Sequence, residues 1–161
     1  MSPAPAVVRQ TMPQLAQAVD TLFAEVRASI ENAHALGMYD PVTSLPNRLH
    51  FRSEADKLLS SAPEGSRSAM LFVDLDRFKM VNDSLGHDHG DRVLVAVARR
   101  LTACVRPSDV VARFGGDEFT ILLPSIPNAE VAARVAERIT ERLREPIKIG
   151  DQELFISASV G

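Results

Sequence analysis

The fold is decided by the stretch VVARFGGDEFTILL, which occupies residues 110–123. Two mostly apolar runs, VVARF and FTILL, flank the pair Gly115-Gly116. Short apolar runs of this kind are typical of strands, and glycine tolerates the positive φ angles that a tight turn requires. The stretch therefore predicts a β-hairpin, and the acidic residues Asp117 and Glu118 leave its turn.

A second acidic stretch follows the apolar run AMLFV at Ala69–Val73, which predicts a buried strand. This strand ends in Asp74-Leu75-Asp76, and the two aspartates, two residues apart, are expected on the same side of it. If the strand neighbours the hairpin, three or four carboxylates meet at one sheet edge. Clustered carboxylates repel one another unless a hard cation neutralises them, and oxygen ligands favour Mg²⁺ or Mn²⁺. Simple solvation explains any one of these carboxylates, but not the set.

The rest of the pattern predicts an α+β fold with helices on one side of a sheet. Apolar spacing predicts helices over Leu49–Leu59, Gly90–Val105 and Ala129–Leu143. A second strand pair, Pro146–Ile149 with Leu154–Val160, is expected to turn around Gly150-Asp151.

The N-terminal region divides into a proline-containing leader at residues 1–13 and an amphipathic helix at residues 14–37, before a domain at residues 38–161. The helix is expected to end at Gly37, a typical C-cap residue. Its apolar residues recur at spacings of three and four, at Leu15, Val19, Leu22, Val26, Ile30 and Ala33. The stripe fits either a helix packed on its own domain or a stalk that pairs with a second copy of the chain.

The composition of the 161-residue chain, with 45% hydrophobic residues and a net charge of −3, excludes a disordered polar protein. The acidic balance argues against binding to a nucleic-acid backbone. The single cysteine, Cys104, cannot form an internal disulfide. No apolar run reaches the roughly 20 residues that span a bilayer. We therefore expect a cytoplasmic protein with no membrane segment.

The hairpin turn contains the string GGDEF, and the chain resembles the diguanylate cyclase (GGDEF) family. Three further blocks match that family in order and spacing: DPVTSLPNR at Asp40–Arg48, DLDRFKMVND at Asp74–Asp83 and GHDHGD at Gly86–Asp91. The first block has Val42 and Ser44 where leucine and glycine are usual. The resemblance extends from about Asp40 to Gly161.

This resemblance implies the condensation of two GTP molecules into cyclic di-GMP, with release of pyrophosphate, by a homodimer. The implied fold is the palm-like sheet of nucleotide cyclases with a ferredoxin-like core. The alternative is a non-catalytic module that serves as a receptor for cyclic di-GMP or GTP. Family members continue beyond the position of Gly161 with a helix and a strand whose lysine and arginine hold the terminal phosphates of GTP. We therefore expect turnover to depend on residues beyond Gly161.

The resemblance also implies a metal site that holds Mg²⁺ or Mn²⁺. Its ligands would be Asp74, the backbone carbonyl of Leu75 and Asp117, with Glu118 beside them. Asp117 is also the family's candidate for accepting the proton of the attacking ribose 3′-hydroxyl. Metal ions neutralise phosphate charge and organise an in-line displacement, which agrees with these assignments.

For the substrate itself, the resemblance implies that Lys79 stabilises charge on the transferring phosphate and that His87 lines the bound nucleotide. Asn82 and Asp91 would read the guanine edge, because together they offer acceptors for N1–H and the amino group and a donor for O6.

A product-binding inhibitory site is suggested by Arg106-Pro107-Ser108-Asp109, an R-x-x-D tetrad with five residues between Asp109 and Gly115, which is the family's spacing. The planar fork of Arg106 suits a phosphate or a guanine edge, and Asp109 could accept from guanine N–H groups. Arg138 would be a supporting arginine contributed by a second subunit.

Overall fold

The computed structural model describes residues 16–25, 27 and 37–161. Its chain divides into two units, Met1–Gly37 and Met38–Gly161. In the first unit, residues 16–25 form a helical segment, α1, on which Val19, Leu22 and Phe23 are exposed. The predicted leader at residues 1–13, and residues 14, 15, 26 and 28–36 of the predicted helix, lie outside the described residues.

The second unit contains both helices and strands. Its helices are α2 (Arg48–Ser60), α3 (Phe78–Leu85), α4 (His87–Ala103) and α5 (Ala129–Arg144). Its strands are β1 (Arg67–Leu75), β2 (Val110–Gly115), β3 (Glu118–Ile126), β4 (Ile147–Ile149), β5 (Gln152–Leu154) and β6 (Ala158–Val160).

Strands of the second unit form a four-stranded antiparallel sheet in the order β2-β3-β1-β6. The predicted hairpin is confirmed as β2–β3, with an irregularity in register between Arg113 and Gly115. Gly115 and Gly116 have φ angles of 140° and 53°, which other residues rarely adopt. The predicted strand at Ala69–Val73 is the middle of β1, which pairs with β3 as expected for neighbours. This topology brings the two acidic stretches to the same end of the sheet.

The predicted second strand pair is confirmed around its turn at Gly150-Asp151 but is wrong in the extent of its second strand. β4 pairs with β5 in a separate two-stranded sheet, whereas β6 joins the main sheet beside β1. The apolar run that begins at Leu154 is therefore divided between β5 and β6, and Ile156 is buried between them. The pattern of apolar residues does not report which strand a segment pairs with. The sequence therefore predicted one continuous strand from Leu154 to Val160. The helix α3, which begins within the polar block DLDRFKMVND and ends just after it, was not predicted.

The main core lies between one face of the sheet and the helices α4 and α5, with Val73, Leu75, Leu94, Leu101 and Ile139 almost fully buried. A smaller cluster lies under α2 and consists of Phe51, Ala55, Ala112 and Leu122. Because Leu122 alternates along β3 with Ile121 and Leu123 of the main core, α2 covers the opposite face. Helices thus pack on both faces, not on one side as the pattern indicated, and the α+β class is confirmed.

Candidate active site

Acidic side chains of two strands meet where β1 ends and the hairpin turn begins. Asp74 and Glu118 are direct partners in the antiparallel register of β1 and β3. The backbone N–H of Leu75 donates a hydrogen bond to the carbonyl oxygen of Asp117 at 3.2 Å. The structure therefore brings Asp74, Leu75, Asp117 and Glu118 to the same end of the sheet.

The neighbouring carboxylates raise the electrostatic cost of the negative charge on Asp74. The pKa of Asp74 is raised, first by the partial removal of its carboxylate from water and then by the negative charges of Asp117, Glu118 and Asp76. Asp74 and Glu118 are exposed, and Asp117 is half-buried. A site that disfavours its own negative charge is one that a cation stabilises.

Asp76 does not belong to this group, although the spacing placed it on the same side of the strand as Asp74. β1 ends at Leu75, and the carboxylate of Asp76 accepts hydrogen bonds from Ser157 Oγ at 2.6 Å and Ser159 Oγ at 2.9 Å. These hydrogen bonds lower the pKa of Asp76. Its side chain therefore anchors the segment around β6, which the sequence prediction missed because it had placed that segment elsewhere.

The donor set fits a hard cation that keeps part of its water shell. Among the described residues, no group of three or more His, Cys, Asp or Glu side chains lies close enough to hold an ion. An ion beside Asp74 and Asp117 would therefore complete its ligands with a backbone carbonyl, water and phosphate oxygens. That mixture is the usual coordination of Mg²⁺, which dehydrates reluctantly and binds through one or two carboxylates.

A cavity of about 680 Å³ opens beside the carboxylates. Asp74 and Glu118 line it together with Phe72, Phe114 and Val160. Phe72 is 55% exposed on the side of β1 that carries Asp74. The carboxylates thus border a space that is large enough for a nucleotide and has partly apolar walls.

The hairpin turn is held by Arg113, a residue that the sequence prediction did not single out. Its guanidinium donates from Nη1 to both carboxylate oxygens of Asp40, at 2.9 and 2.8 Å. From Nε and Nη2 it donates to the carbonyl oxygen of Gly116, at 3.1 and 2.7 Å. The Arg113 side chain is only 9% exposed and that of Asp40 only 12%. Arg113 therefore ties the turn before Asp117 to the segment at residues 40–48.

The partner of Arg113 is itself fixed. Asp40 accepts hydrogen bonds from Thr43 N at 2.8 Å and from Thr43 Oγ1 at 2.6 Å. Burial alone would raise the pKa of Asp40, but the bonds from Thr43 and Arg113 outweigh burial and lower it. The sequence signal for this pair was a single arginine inside an apolar strand, where a charged residue needs a partner.

The predicted substrate residues lie on the two helices that follow β1. Lys79 and Asn82 belong to α3, and His87 and Asp91 belong to α4. Lys79, His87 and Asp91 are exposed, and Asn82 is half-buried. The Asn82 side chain lies against Gly90 of α4, so the structure places it next to the backbone that leads into Asp91.

The predicted inhibitory pair is preformed. The carboxylate of Asp109 accepts from the backbone N–H of Arg106 at 2.8 Å and lies 3.4 Å from Arg106 Nη2. The Asp109 side chain is 1% exposed, whereas that of Arg106 is 50% exposed. Both residues line a cavity of about 460 Å³ together with His50 and Glu54.

Arg138 is engaged within its own chain. Its Nε and Nη2 donate to the carbonyl oxygen of Cys104, at 3.1 and 2.5 Å. Cys104 follows the last residue of α4, so the guanidinium caps that helix. An arginine offered to a second subunit would have to leave this cap or share it.

Comparison with known proteins gives consistent matches. A family model described as "Diguanylate cyclase, GGDEF domain" matches residues 37–161. Diguanylate cyclase TpbB of Pseudomonas aeruginosa is 45% identical over 114 residues, which are 70% of this chain and 26% of that protein. Cyclic di-GMP phosphodiesterase NbdA of the same species is 40% identical over 137 residues, which are 82% of this chain and 17% of that protein. The chain thus spans about a quarter or less of these relatives.

A solved structure extends the similarity to the fold. The coiled coil and GGDEF domain of DgcB from Caulobacter crescentus, in complex with c-di-GMP, matches with a TM-score of 0.79 and 28% identity. The match covers 92% of this chain and 80% of that one.

Among the described residues, no helix has the length and apolar character required to cross a membrane.

Proposed function

We propose, because the chain belongs to the GGDEF-domain family of diguanylate cyclases, that it condenses two GTP molecules into cyclic di-GMP and releases pyrophosphate. In each half-reaction the 3′-hydroxyl of one GTP attacks the α-phosphate of the other, and pyrophosphate leaves. The observation that carries the proposal is the pairing of Asp74 with Glu118 beside a nucleotide-sized cavity. Formation of cyclic di-GMP from GTP by the full-length protein is the test.

Asp74, the carbonyl of Leu75 and Asp117 would hold Mg²⁺ or Mn²⁺, with Glu118 beside them. When bound, the ion supplies charge neutralisation for the phosphates of GTP. The support is the raised pKa of Asp74, which partial removal from water and the neighbouring carboxylates produce and which a cation would reverse.

Asp117 accepts the proton of the attacking hydroxyl in this proposal, and Lys79 stabilises the charge that develops on the transferring phosphate. Asp117 is suited to the first task because its backbone is fixed on both sides. Its carbonyl oxygen accepts from Leu75, and the preceding Gly116 carbonyl accepts from Arg113. A group held in place before the reaction does not need to be reorganised during it.

Asn82 and Asp91 recognise the guanine edge, and His87 lines the bound nucleotide. The half-buried amide of Asn82 and the exposed carboxylate of Asp91 supply the donor and acceptors that guanine requires. Adenine carries an amino group where guanine has O6, so an amide placed to donate there would disfavour ATP.

The active species in this proposal is a homodimer, because each subunit presents one GTP to the other. The helical segment α1 provides a means of pairing, since Val19, Leu22 and Phe23 expose an apolar surface. The DgcB structure includes a coiled coil together with its GGDEF domain, which supports the same role for α1 here.

Cyclic di-GMP would inhibit the enzyme by binding to Arg106 and Asp109, with Arg138 of a second subunit in support. The exposed fork of Arg106 and the buried carboxylate of Asp109 meet at one cavity, which supports this assignment. The DgcB structure contains c-di-GMP.

We also propose a cytoplasmic location, where GTP is available.

A receptor without catalytic activity is the second candidate. It is favoured by the similarity to NbdA, whose name is that of a cyclic di-GMP phosphodiesterase. A receptor would need Arg106 and Asp109 but would not need Asp74, Lys79 and Asp117 together. The complete set of carboxylates at the turn therefore favours the cyclase.

A further inference from the structure

Gly90 lies inside α4 and is buried, although its backbone does not require glycine. Unlike Gly86, Gly115 and Gly116, Gly90 does not have a positive φ angle. A glycine in a helix interior destabilises the helix relative to alanine, because it loses more conformational freedom on folding. The reason for glycine at this position must therefore lie in what surrounds it.

The space around Gly90 is taken by a side chain of α3. A methyl group on Gly90 would overlap Asn82 Oδ1, and it would lie 3.0 Å from Asn82 Cγ and 3.3 Å from Phe78 Cζ. The missing side chain thus permits the Asn82 amide to lie directly on the backbone of α4. Because Asp91 is the next residue along α4, this contact sets the amide beside the backbone that leads into Asp91.

Hydrophobic packing does not explain this contact. Asn82 is half-buried, and within residues 37–161 its side-chain amide has no protein hydrogen-bond partner. A polar group that is partly removed from water without a partner costs stability. An apolar residue would fill the space under α3 without that cost, so the amide group itself is needed there for another interaction.

We propose that Gly90 is a positioning residue for nucleobase recognition: by lacking a side chain it fixes the Asn82 amide beside Asp91 and thereby sets the preference for guanine over adenine nucleotides. The inference rests on the proposed function, because it assumes that Asn82 and Asp91 contact guanine. The inference adds that the preference for guanine over adenine nucleotides depends on Gly90, a residue that has no side chain.

The first part of the test measures the contact without any nucleotide. Gly90→Ala, Asn82→Ala and the double variant of the full-length protein are compared by denaturant unfolding. Helix propensity alone predicts that Gly90→Ala is stabilising in either background. The overlap predicts that it destabilises the protein when Asn82 is present and loses this effect when Asn82 is alanine.

The second part measures selectivity by competition of GTP and ATP for the same variants. We expect Gly90→Ala to lower the preference for GTP over ATP by about tenfold, the size of one well-placed hydrogen bond. In the Asn82→Ala background the same change should have no further effect. Ala103→Gly, a glycine–alanine exchange at the far end of α4, is the matched control and should leave the preference unchanged.

The outcomes separate the two claims. If Gly90→Ala keeps the wild-type preference while Asn82→Ala loses it, the inference is wrong and the proposed function stands. If Gly90→Ala lowers the preference equally in both backgrounds, the effect does not act through Asn82 and the inference is also wrong. If the wild-type protein does not prefer GTP, guanine recognition itself fails and the inference falls with it.

Discussion

Asp74 and Glu118 face each other across the antiparallel strands β1 and β3, where two negative charges oppose each other directly. Like charges in such a cross-strand pair destabilise a sheet. Nothing in the packing of the sheet requires this pair, since both side chains are exposed. Their retention at this position agrees with a site that is completed by a cation.

The first prediction is that Asp74→Asn stabilises the metal-free protein. The pKa of the Asp74 carboxyl is higher in the folded state than its ordinary value of 3.8 in the unfolded state. Such a carboxyl favours the folded state while it is protonated, and this stabilisation is lost as the pH rises through the folded-state pKa. At pH 7 its charge is therefore unfavourable, and asparagine removes it. In the presence of a chelator at pH 7, we expect Asp74→Asn to have a higher Tm than the wild type. The difference in Tm should vanish near pH 3.

The same variant should lose the stabilisation that Mg²⁺ gives to the wild type, because a ligand of the ion is gone. Asp56→Asn, which changes an exposed aspartate on α2, is the control. A lower Tm for Asp74→Asn in chelator, or an unchanged response to Mg²⁺, would argue against the carboxylate site.

The second prediction concerns the arginine that holds the turn. Arg113→Ala leaves Asp40 buried without its partner and frees the carbonyl of Gly116, so we expect a loss of about 3–5 kcal/mol in the free energy of unfolding. Turnover should fall as well, because the turn that carries Asp117 loses its anchor. Urea unfolding and initial rates of product formation measure the two effects.

The control for this prediction is Arg134→Ala. Arg134 and Glu130 lie 4.0 Å apart and are 65% and 79% exposed, so the change should cost less than about 1 kcal/mol. Equal losses in the two variants would show that the Asp40–Arg113 pair has no special role.

The third prediction is that Arg106→Ala weakens the binding of cyclic di-GMP by roughly tenfold to a hundredfold, because a charge-assisted contact is removed. GTP binding should be unchanged, since Arg106 does not line the cavity beside Asp74. Calorimetric titration with each nucleotide distinguishes the two sites. Unchanged affinity for the product would refute the inhibitory assignment.

The fourth prediction concerns assembly. Deletion of residues 1–36 from the full-length protein should lower specific activity most at low protein concentration, because pairing through the helix raises the effective concentration of the second catalytic half. The loss should shrink as the concentration rises. Equal specific activity of both forms across a dilution series would indicate that the helix packs on its own domain.

Much of this architecture could be predicted from the sequence because local patterns encode it. The hairpin followed from two apolar runs around Gly115-Gly116, and the strand before Asp74 followed from one apolar run. The end of β5 and the partner of β6 could not be predicted in this way. Both depend on long-range contacts, such as the hydrogen bonds from Ser157 and Ser159 to Asp76, which no local pattern reports.

The candidate site was predictable to the extent that its residues belong to motifs. Asp74, Asp117 and Glu118 were identified and do lie together. Arg113 was missed because its partner Asp40 is 73 residues away in the sequence, and only the fold brings the two together. The contact between Asn82 and Gly90 was missed for the related reason that α3 was not predicted as a helix.

The most direct test of the central claim is to incubate the full-length protein with GTP and Mg²⁺ and to quantify cyclic di-GMP and pyrophosphate, with Asp117→Asn as the matched variant. The account predicts two pyrophosphates for each cyclic di-GMP formed by the wild type. It also predicts no detectable product from Asp117→Asn, whose Tm should stay close to that of the wild type because the change lies in a turn. Nucleotide binding without any product from the wild type, or full activity of Asp117→Asn, would contradict the assignment of this site as a cyclase.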